Sequence, residues 1–292
     1  MHRFLLLIAV LLVCAQPLQA QLLVGLDIKR KFLLVCEPII ATVTVKNLAG
    51  RDVTLADSPT QSWFGFQISR ADGQLVPPLD PNYQLSPLMI PAGQTVKRRI
   101  VLNSIYPMRE LGLYHLRATI YFAGTEKYYQ SPLLNLELSE GKTIWQQTVG
   151  VPDGVEGAGS IRKFSLLTFR QAEYTIIYAR VEDVDNGTVY ATTALGRVIA
   201  GLEPDAQVDL QNNLHILQLL GPKTFLYSCM GLNGEMLTHE NYYSVKTRPV
   251  LRRNASGMVS VVGGELQPDN GAADKMKSAN KLSDRPVQIP KE

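Results

Sequence analysis

The residues able to do chemistry are few, and their spacing rarely suits it. His115, His215 and His239 are the histidines after the first strand-forming segment, and no pair of them has the short His-x-His or His-x₃-His spacing of a metal site. His115 falls on the polar face of an alternating segment. His215 sits between Leu214 and Ile216 and faces away from both. Glu182-Asp183-Val184-Asp185-Asn186-Gly187 is the most acidic stretch. A calcium loop needs Gly at its sixth place and Glu at its twelfth; counted from Asp183, Gly187 is early and Ala194 stands where the Glu belongs. Asn-Gly is instead a favoured hairpin turn. Glu203-Pro204-Asp205 offers two carboxylates of the kind that hydrolyse glycosidic bonds, but Pro204 makes it read as a surface turn.

Nucleophilic and phosphate-binding motifs fare no better. There is no Gly-x-Ser-x-Gly elbow; Gly159-Ser160 and Ala255-Ser256-Gly257 lack the rest of it. The loop Pro152-Asp153-Gly154-Val155-Glu156-Gly157-Ala158-Gly159 is glycine-rich, but it feeds an alternating strand, not the helix a phosphate cradle requires. Cys36 and Cys229 have no His or cation beside them in sequence, as an activated thiol would want. Both lie in apolar, strand-like contexts and read as separate buried thiols, with a bridge as the alternative. Asn186-Gly187-Thr188 and Asn254-Ala255-Ser256 fit the glycosylation sequon. The expectation is a protein without catalytic, cofactor-binding or metal-binding residues, and not an enzyme.

The elements that would position such residues are strands. The chain has 292 residues, 46% hydrophobic and 19% charged, with a net charge of +3 and 3 cysteines. That composition excludes a disordered chain, a small disulfide scaffold and a strongly basic nucleic-acid binder. The length has room for two domains.

Residues 1–20 read as a signal peptide. His2 and Arg3 form a short basic start, Phe4 to Cys14 is an apolar run, and Leu18-Gln19-Ala20 is a cleavage site. The run is shorter than the roughly 20 residues that span a bilayer. Lipid attachment at Cys14 is disfavoured by Val13, where a small residue belongs. No later stretch is long and apolar enough for a transmembrane segment. The expected location is therefore extracytoplasmic, in the periplasm or secreted.

Residues 21–140 alternate with period two between turn residues. Ile39, Ala41, Val43 and Val45 share one face of a strand, and Ile40, Thr42, Thr44 and Lys46 the other. Asn47-Leu48-Ala49-Gly50 turns it. Trp63 to Ile68 is an aromatic strand closed by Asp72-Gly73, and Thr95 to Leu102 is another strand. Tyr114, Leu116, Ala118, Ile120 and Phe122 align on one face of the longest, and Leu134, Leu136 and Leu138 on that of the last. Leu-Gly-x-Tyr at its entry suggests a tyrosine corner. Glu37-Pro38-Ile39-Ile40, the alternating Thr42-Val43-Thr44-Val45-Lys46-Asn47, Pro91-Ala92-Gly93-Gln94 and Gly112-Leu113-Tyr114-His115-Leu116 together resemble bacterial immunoglobulin-like β-sandwich domains. Cys36 stands where that pattern usually has Gly, and no second Cys supplies an intersheet bridge. The resemblance implies a spacer or binding module.

Residues 141–265 read as a second antiparallel β domain, a sandwich or open meander. Ile144 to Val149, Arg162 to Phe169, Tyr174 to Val181, Thr188 to Thr193 and Thr224 to Ser228 are its strand candidates. Tyr178 with Gly187, and Tyr227 with Gly234, form a weak repeat of roughly 40–50 residues, about the size of a propeller blade. Asp209 to Leu217 resembles the inner strand of a sialidase-type blade, without its Ser-x-Asp-x-Gly-x-Thr-Trp box. Four blades do not fit in this length; a ring of several chains would be a lectin-like, carbohydrate-binding oligomer. Residues 266–292 are rich in Pro, Asp, Asn, Lys and Ser and read as a disordered tail. Residues 246–292 hold nine Lys/Arg against five Asp/Glu, so the positive charge lies there. The basic segment Lys246 to Arg253 reads as a solvated strand, with contact to an anionic polymer as the functional alternative.

The expectation is all-β: an immunoglobulin-like sandwich, a second antiparallel domain and a loose tail. The function expected is that of an extracytoplasmic, non-catalytic binding or structural module whose partner is a protein or envelope polymer and not nucleic acid. A lectin-like oligomer, and an enzyme whose site assembles from distant carboxylates, are the alternatives.

Overall fold

The computed structural model describes residues 21–199 and 201–267. The signal-peptide segment, 1–20, lies outside them, as do residues 268–292 of the tail. The described chain is built almost wholly of strands arranged in antiparallel sheets.

Ten strands come first: β1 (Leu22–Asp27), β2 (Phe32–Leu34), β3 (Ile40–Asn47), β4 (Val53–Leu55), β5 (Phe64–Arg70), β6 (Leu88–Ile90), β7 (Thr95–Val101), β8 (Gly112–Phe122), β9 (Lys127–Gln130) and β10 (Leu134–Ser139). One sheet runs β1-β3-β7 and the other β2-β10-β8-β5, with β9 on the far end of β8. β4 and β6 form a short ladder of their own. The alternation seen in sequence is the reason: Ala41, Val43 and Val45 are buried from one sheet, Leu116, Ala118, Ile120, Leu136 and Leu138 from the other, and they meet in one apolar cluster. Trp63 closes that cluster and donates its indole N–H to the Leu85 carbonyl at 3.0 Å. The tyrosine corner is present, with the Tyr114 hydroxyl donating to the Glu110 carbonyl at 2.9 Å. Asn47 is fully buried; its amide donates to the carbonyls of Arg51 at 2.7 Å and Ile90 at 2.9 Å, which fixes the turn that follows β3.

One pairing departs from the antiparallel expectation. β2 lies parallel to β10. The chain leaves the first sheet after β1 and crosses to the second within a few residues, so β2 reaches the edge of β10 running the same way. Cys36 is also placed differently from its reading. It follows β2 in a turn, half-buried, with φ +68°. A turn residue in the left-handed region is the position a glycine would normally fill.

Residues Glu140 and Gly141 alone connect β10 to the next strand. β11 (Lys142–Gly150), β12 (Ile161–Arg170), β13 (Thr175–Asp183) and β14 (Val189–Arg197) form a four-stranded meander in chain order. β15 (Asp205–Val208), β16 (Leu214–Leu219), β17 (Thr224–Met230) and β18 (Met236–Tyr243) form a second, extended by β21 (Glu265–Leu266). β19 (Val250–Arg253) and β20 (Val259–Val262) make a separate hairpin. Leu266 was expected at the start of the tail; it pairs with Tyr242 in β21. The stretch Asp209 to Leu217 is not one strand, because residues 209–213 form the turn between β15 and β16.

The two meanders pack face to face. Phe164, Leu166, Ile177, Ala179 and Val181 of the first meet Leu214, Ile216 and Met230 of the second. Each meander also buries its outer face. Leu217, Phe225, Leu251 and Val259 join the second meander to the β19–β20 hairpin. Leu34 of β2 joins Leu167, Phe169, Ile176 and Tyr178 of the first. Gly141 permits that contact: a Cβ there would lie 3.0 Å from Leu34 Cδ1 and 3.2 Å from Leu167 Cβ. The repeat is placed in register, since Tyr178 and Tyr227 lie on the third strand of each meander and Gly187 and Gly234 both take positive φ in the turn that follows.

Candidate functional site

Three clusters of buried polar groups carry most of the chemistry in the described residues. The first lies between β16, β17 and the hairpin. Asp209 follows β15, and its Oδ1 accepts the backbone N–H groups of Gln211 at 2.9 Å and Asn213 at 2.8 Å, closing the turn. Its Oδ2 contacts His215 Nε2 at 3.0 Å. A carboxylate only accepts, so Nε2 carries a proton; in the neutral imidazole Nδ1 then accepts from the Tyr227 hydroxyl, 2.8 Å away. Burial opposes the Asp209 charge, but the Asn213 N–H and His215 hold its carboxyl below the usual range. Beside Tyr227, burial pushes the Cys229 thiol up to about 11. An Asp–His–Tyr chain has the form of a proton relay, yet it ends on Tyr227, packed against the apolar cluster of Leu217, Phe225, Leu251 and Val259. It orients the turn and the sheet.

On the opposite face of β17, Ser228 Oγ lies 3.0 Å from His239 Nδ1. This is the first contact of a nucleophilic relay. Ser228 is 1% exposed in mid-strand, and burial pushes the His239 imidazole below its usual range. His115, by contrast, lies on the solvent face of β8, with Nδ1 2.8 Å from Asn135 Oδ1.

The second cluster anchors the β13–β14 turn. Asp183 Oδ1 accepts from the N–H groups of Asp185 and Asn186, and its Oδ2 accepts from Arg162 Nη1 at 2.6 Å. Arg162 also bonds Ser160 Oγ and stacks on Tyr190, 4.2 Å from the ring centre. The acidic stretch is thus a hairpin turn tied to the glycine-rich loop, which feeds the strand β12. The backbone N–H groups of Asn186 and Asp185, with Arg162, outweigh desolvation and keep the Asp183 carboxyl low.

The third cluster joins the two halves of the chain and has no local sequence signal. Arg30 donates to Glu37 Oε1 at 2.5 Å and to the Tyr178 hydroxyl at 2.8 Å. Glu37 is 2% exposed, and its Oε2 has no hydrogen-bond partner. Burial pushes its carboxyl up, against the pull of Tyr178 and Arg30. Arg180 donates to the Val35 carbonyl at 2.5 Å. Cys36 sits beside Arg180 and Arg109, but burial pushes its thiol up. Cys36 and Cys229 are both free thiols.

Glu203 and Asp205 are both exposed. Glu203 lines an open cleft of about 460 Å3 with Ile144, Thr168, Val198, Gly201, Leu202 and Pro204. Asp205 opens β15 and is not among the residues that line the cleft. Two of the four cations of the basic segment touch the fold: Arg253 donates to the Val208 carbonyl at 2.5 Å and Arg248 lies over the Phe225 ring, while Lys246 and Arg252 are exposed. Among the described residues no group of three or more His, Cys, Asp and Glu is placed to hold a metal ion, and no helix is long and apolar enough to cross a membrane.

No family model matches the chain, and no curated protein matches it. Among solved structures, it is similar to the crystal structure of Spo0M, a sporulation control protein from Bacillus subtilis, over 60% of this chain and 90% of that one, at 8% identity and a TM-score of 0.29. A likeness at that level bears neither on fold nor on function.

Proposed function

We propose that the chain is a secreted or periplasmic, non-catalytic β protein whose first half is an immunoglobulin-like sandwich, and that it serves as a binding or structural module of the cell envelope. The observation that carries this reading is the use made of the buried charged groups. Arg162 with Asp183 and Asp209 with His215 each fix a turn, and Arg30, paired with Glu37, donates to the Tyr178 hydroxyl across the contact between the halves. Groups committed in this way are positioned for architecture, and fold by itself licenses no chemistry. The tyrosine corner and the two facing sheets support the immunoglobulin-like assignment.

The direct test is capture from envelope extracts with the tagged chain. Retention of a defined protein or polymer supports the reading; turnover of a screened substrate with no partner retained overturns it. The second reading, a lectin-like oligomer, draws on the two meanders of matching strand order. Size-exclusion chromatography showing only monomer would remove it.

A further inference from the structure

The solvent face of the β1-β3-β7 sheet carries a set of cations that the fold does not use. Along β3, Thr42, Thr44 and Lys46 alternate with the buried Ala41, Val43 and Val45. Register places Thr95, Lys97 and Arg99 of β7 opposite Lys46, Thr44 and Thr42, so all six share that face. Lys46, Lys97 and Arg99 are exposed. Lys97 and Arg99 are two residues apart on one strand, about 6.8 Å. Lys46 is the diagonal neighbour of Lys97, about 7–8 Å away.

None of the three takes part in the ion pairs found among the described residues. Asp27 of β1 is on the same face, opposite Thr42 and so two strands from Arg99, about 10 Å. Three neighbouring cations against one carboxylate raise the potential of this face, and like charges side by side on a sheet cost stability. The middle row, Gly25-Thr44-Lys97, has no side chain at its β1 end. Threonine hydroxyls and cations make up the rest of this open sheet face.

We propose that this face binds a linear anionic polysaccharide, an inference that rests on the binding-module reading and names its partner. The cations are complementary to carboxylate or sulfate groups spaced along a chain. The hydroxyls of Thr42, Thr44 and Thr95 donate to and accept from sugar hydroxyls, and an open sheet face suits an extended polymer. A bilayer surface fits less well, because an interfacial site places Trp, Phe or Leu among its cations. Here threonines fill most of those places, and the one exposed leucine that the register brings among the cations is Leu23, opposite Lys46. Overall charge does not account for such binding, since the whole chain carries only +3.

The test uses the chain from Gln21 onward with polygalacturonate and heparin as immobilised probes, dextran as the neutral control and phosphatidylglycerol vesicles as the membrane arm. The expected result is retention by both anionic polysaccharides, and release at about 1 M salt, where the screening length falls to about 3 Å. The double variant Lys97→Glu/Arg99→Glu, exposed at both positions, should lose at least about tenfold in affinity with no change in its unfolding midpoint. Arg252→Glu, an exposed cation on β19, should leave binding unchanged. Equal affinity in the double variant, or tighter binding of the wild type to vesicles than to either polysaccharide, overturns the proposal. If neither polysaccharide is retained while an envelope extract still yields a partner, this surface is refuted and the binding-module reading stands.

Discussion

Cys36 is the residue where a local conformation and a side chain most clearly disagree. Its φ of +68° lies in the left-handed region, which costs an L-residue roughly 1–2 kcal/mol and a glycine almost nothing. A turn at this φ is one that a glycine would take up without strain. The comparison that isolates the effect is Cys36→Gly against Cys36→Ala, since both remove the thiol. Cys36→Gly is expected to be the more stable by about 1 kcal/mol in urea unfolding; equal midpoints would show that the turn relaxes without strain. At the same scale, Asp209 shows where residue-by-residue reading falls short. His215 was legible as a side chain facing away from Leu214 and Ile216. The turn was not, because it depends on one carboxylate collecting the N–H groups of Gln211 and Asn213 and the ring of His215 at once. Alternation of apolar residues on either side concealed it.

The elements legible in the sequence are those with enough length to show a period. β3, β8 and β10 bury the residues that their alternation singles out. β2 has three residues and a partner strand far along the chain, so nothing local marks it. Yet its last residue, Leu34, is fully buried against the first meander. Leu34→Ala leaves a cavity at that contact and should cost about 2–4 kcal/mol in a chemical unfolding experiment; a loss under about 0.5 kcal/mol would mean that the halves are not packed there. The loop after β2 adds a pH dependence. Burial places the Glu37 carboxyl above its unfolded value of 4.5, so the folded chain binds that proton more tightly than the unfolded chain does. Ionised Glu37 therefore costs stability at neutral pH, and the cost is relieved as pH falls through the raised value towards 4.5. Glu37→Gln removes this titration. Its stability relative to wild type should be greatest at pH 7 and decline as the solution is acidified, read as the difference in urea midpoint between the two proteins. A difference independent of pH would show that Glu37 does not ionise in this range.

At the scale of the whole molecule, the sheets stack as a series of layers, and the chemistry named from sequence is distributed through them, not collected in one place. His115, His215, His239 and Glu203 lie on four different surfaces, which is why their spacing carried no motif. Charge behaves in the opposite way. Net charge gave a nearly neutral body and a basic tail, and averaging over the body hid the set of Lys46, Lys97 and Arg99, which Lys46 joins only once β3 and β7 pair. The same geometry bears on the signal-peptide reading. The Gln21 carbonyl accepts the Leu48 N–H at 2.8 Å, and Leu22 is buried at the start of β1. A cut after Ala20 therefore keeps the contacts that Gln21 and Leu22 make in the first sheet, whereas a cut even two residues later would remove a core side chain. Expression of the full chain in a host with a secretory pathway should yield an exported protein whose N-terminal sequence begins Gln21-Leu22-Leu23-Val24 and whose intact mass corresponds to residues 21–292. A chain that stays in the cytoplasm with Met1 attached would overturn both the cleavage site and the extracytoplasmic location, and with them the envelope role. A cut a few residues before Gln21 would move the site alone, because the export reading does not depend on the exact bond cleaved.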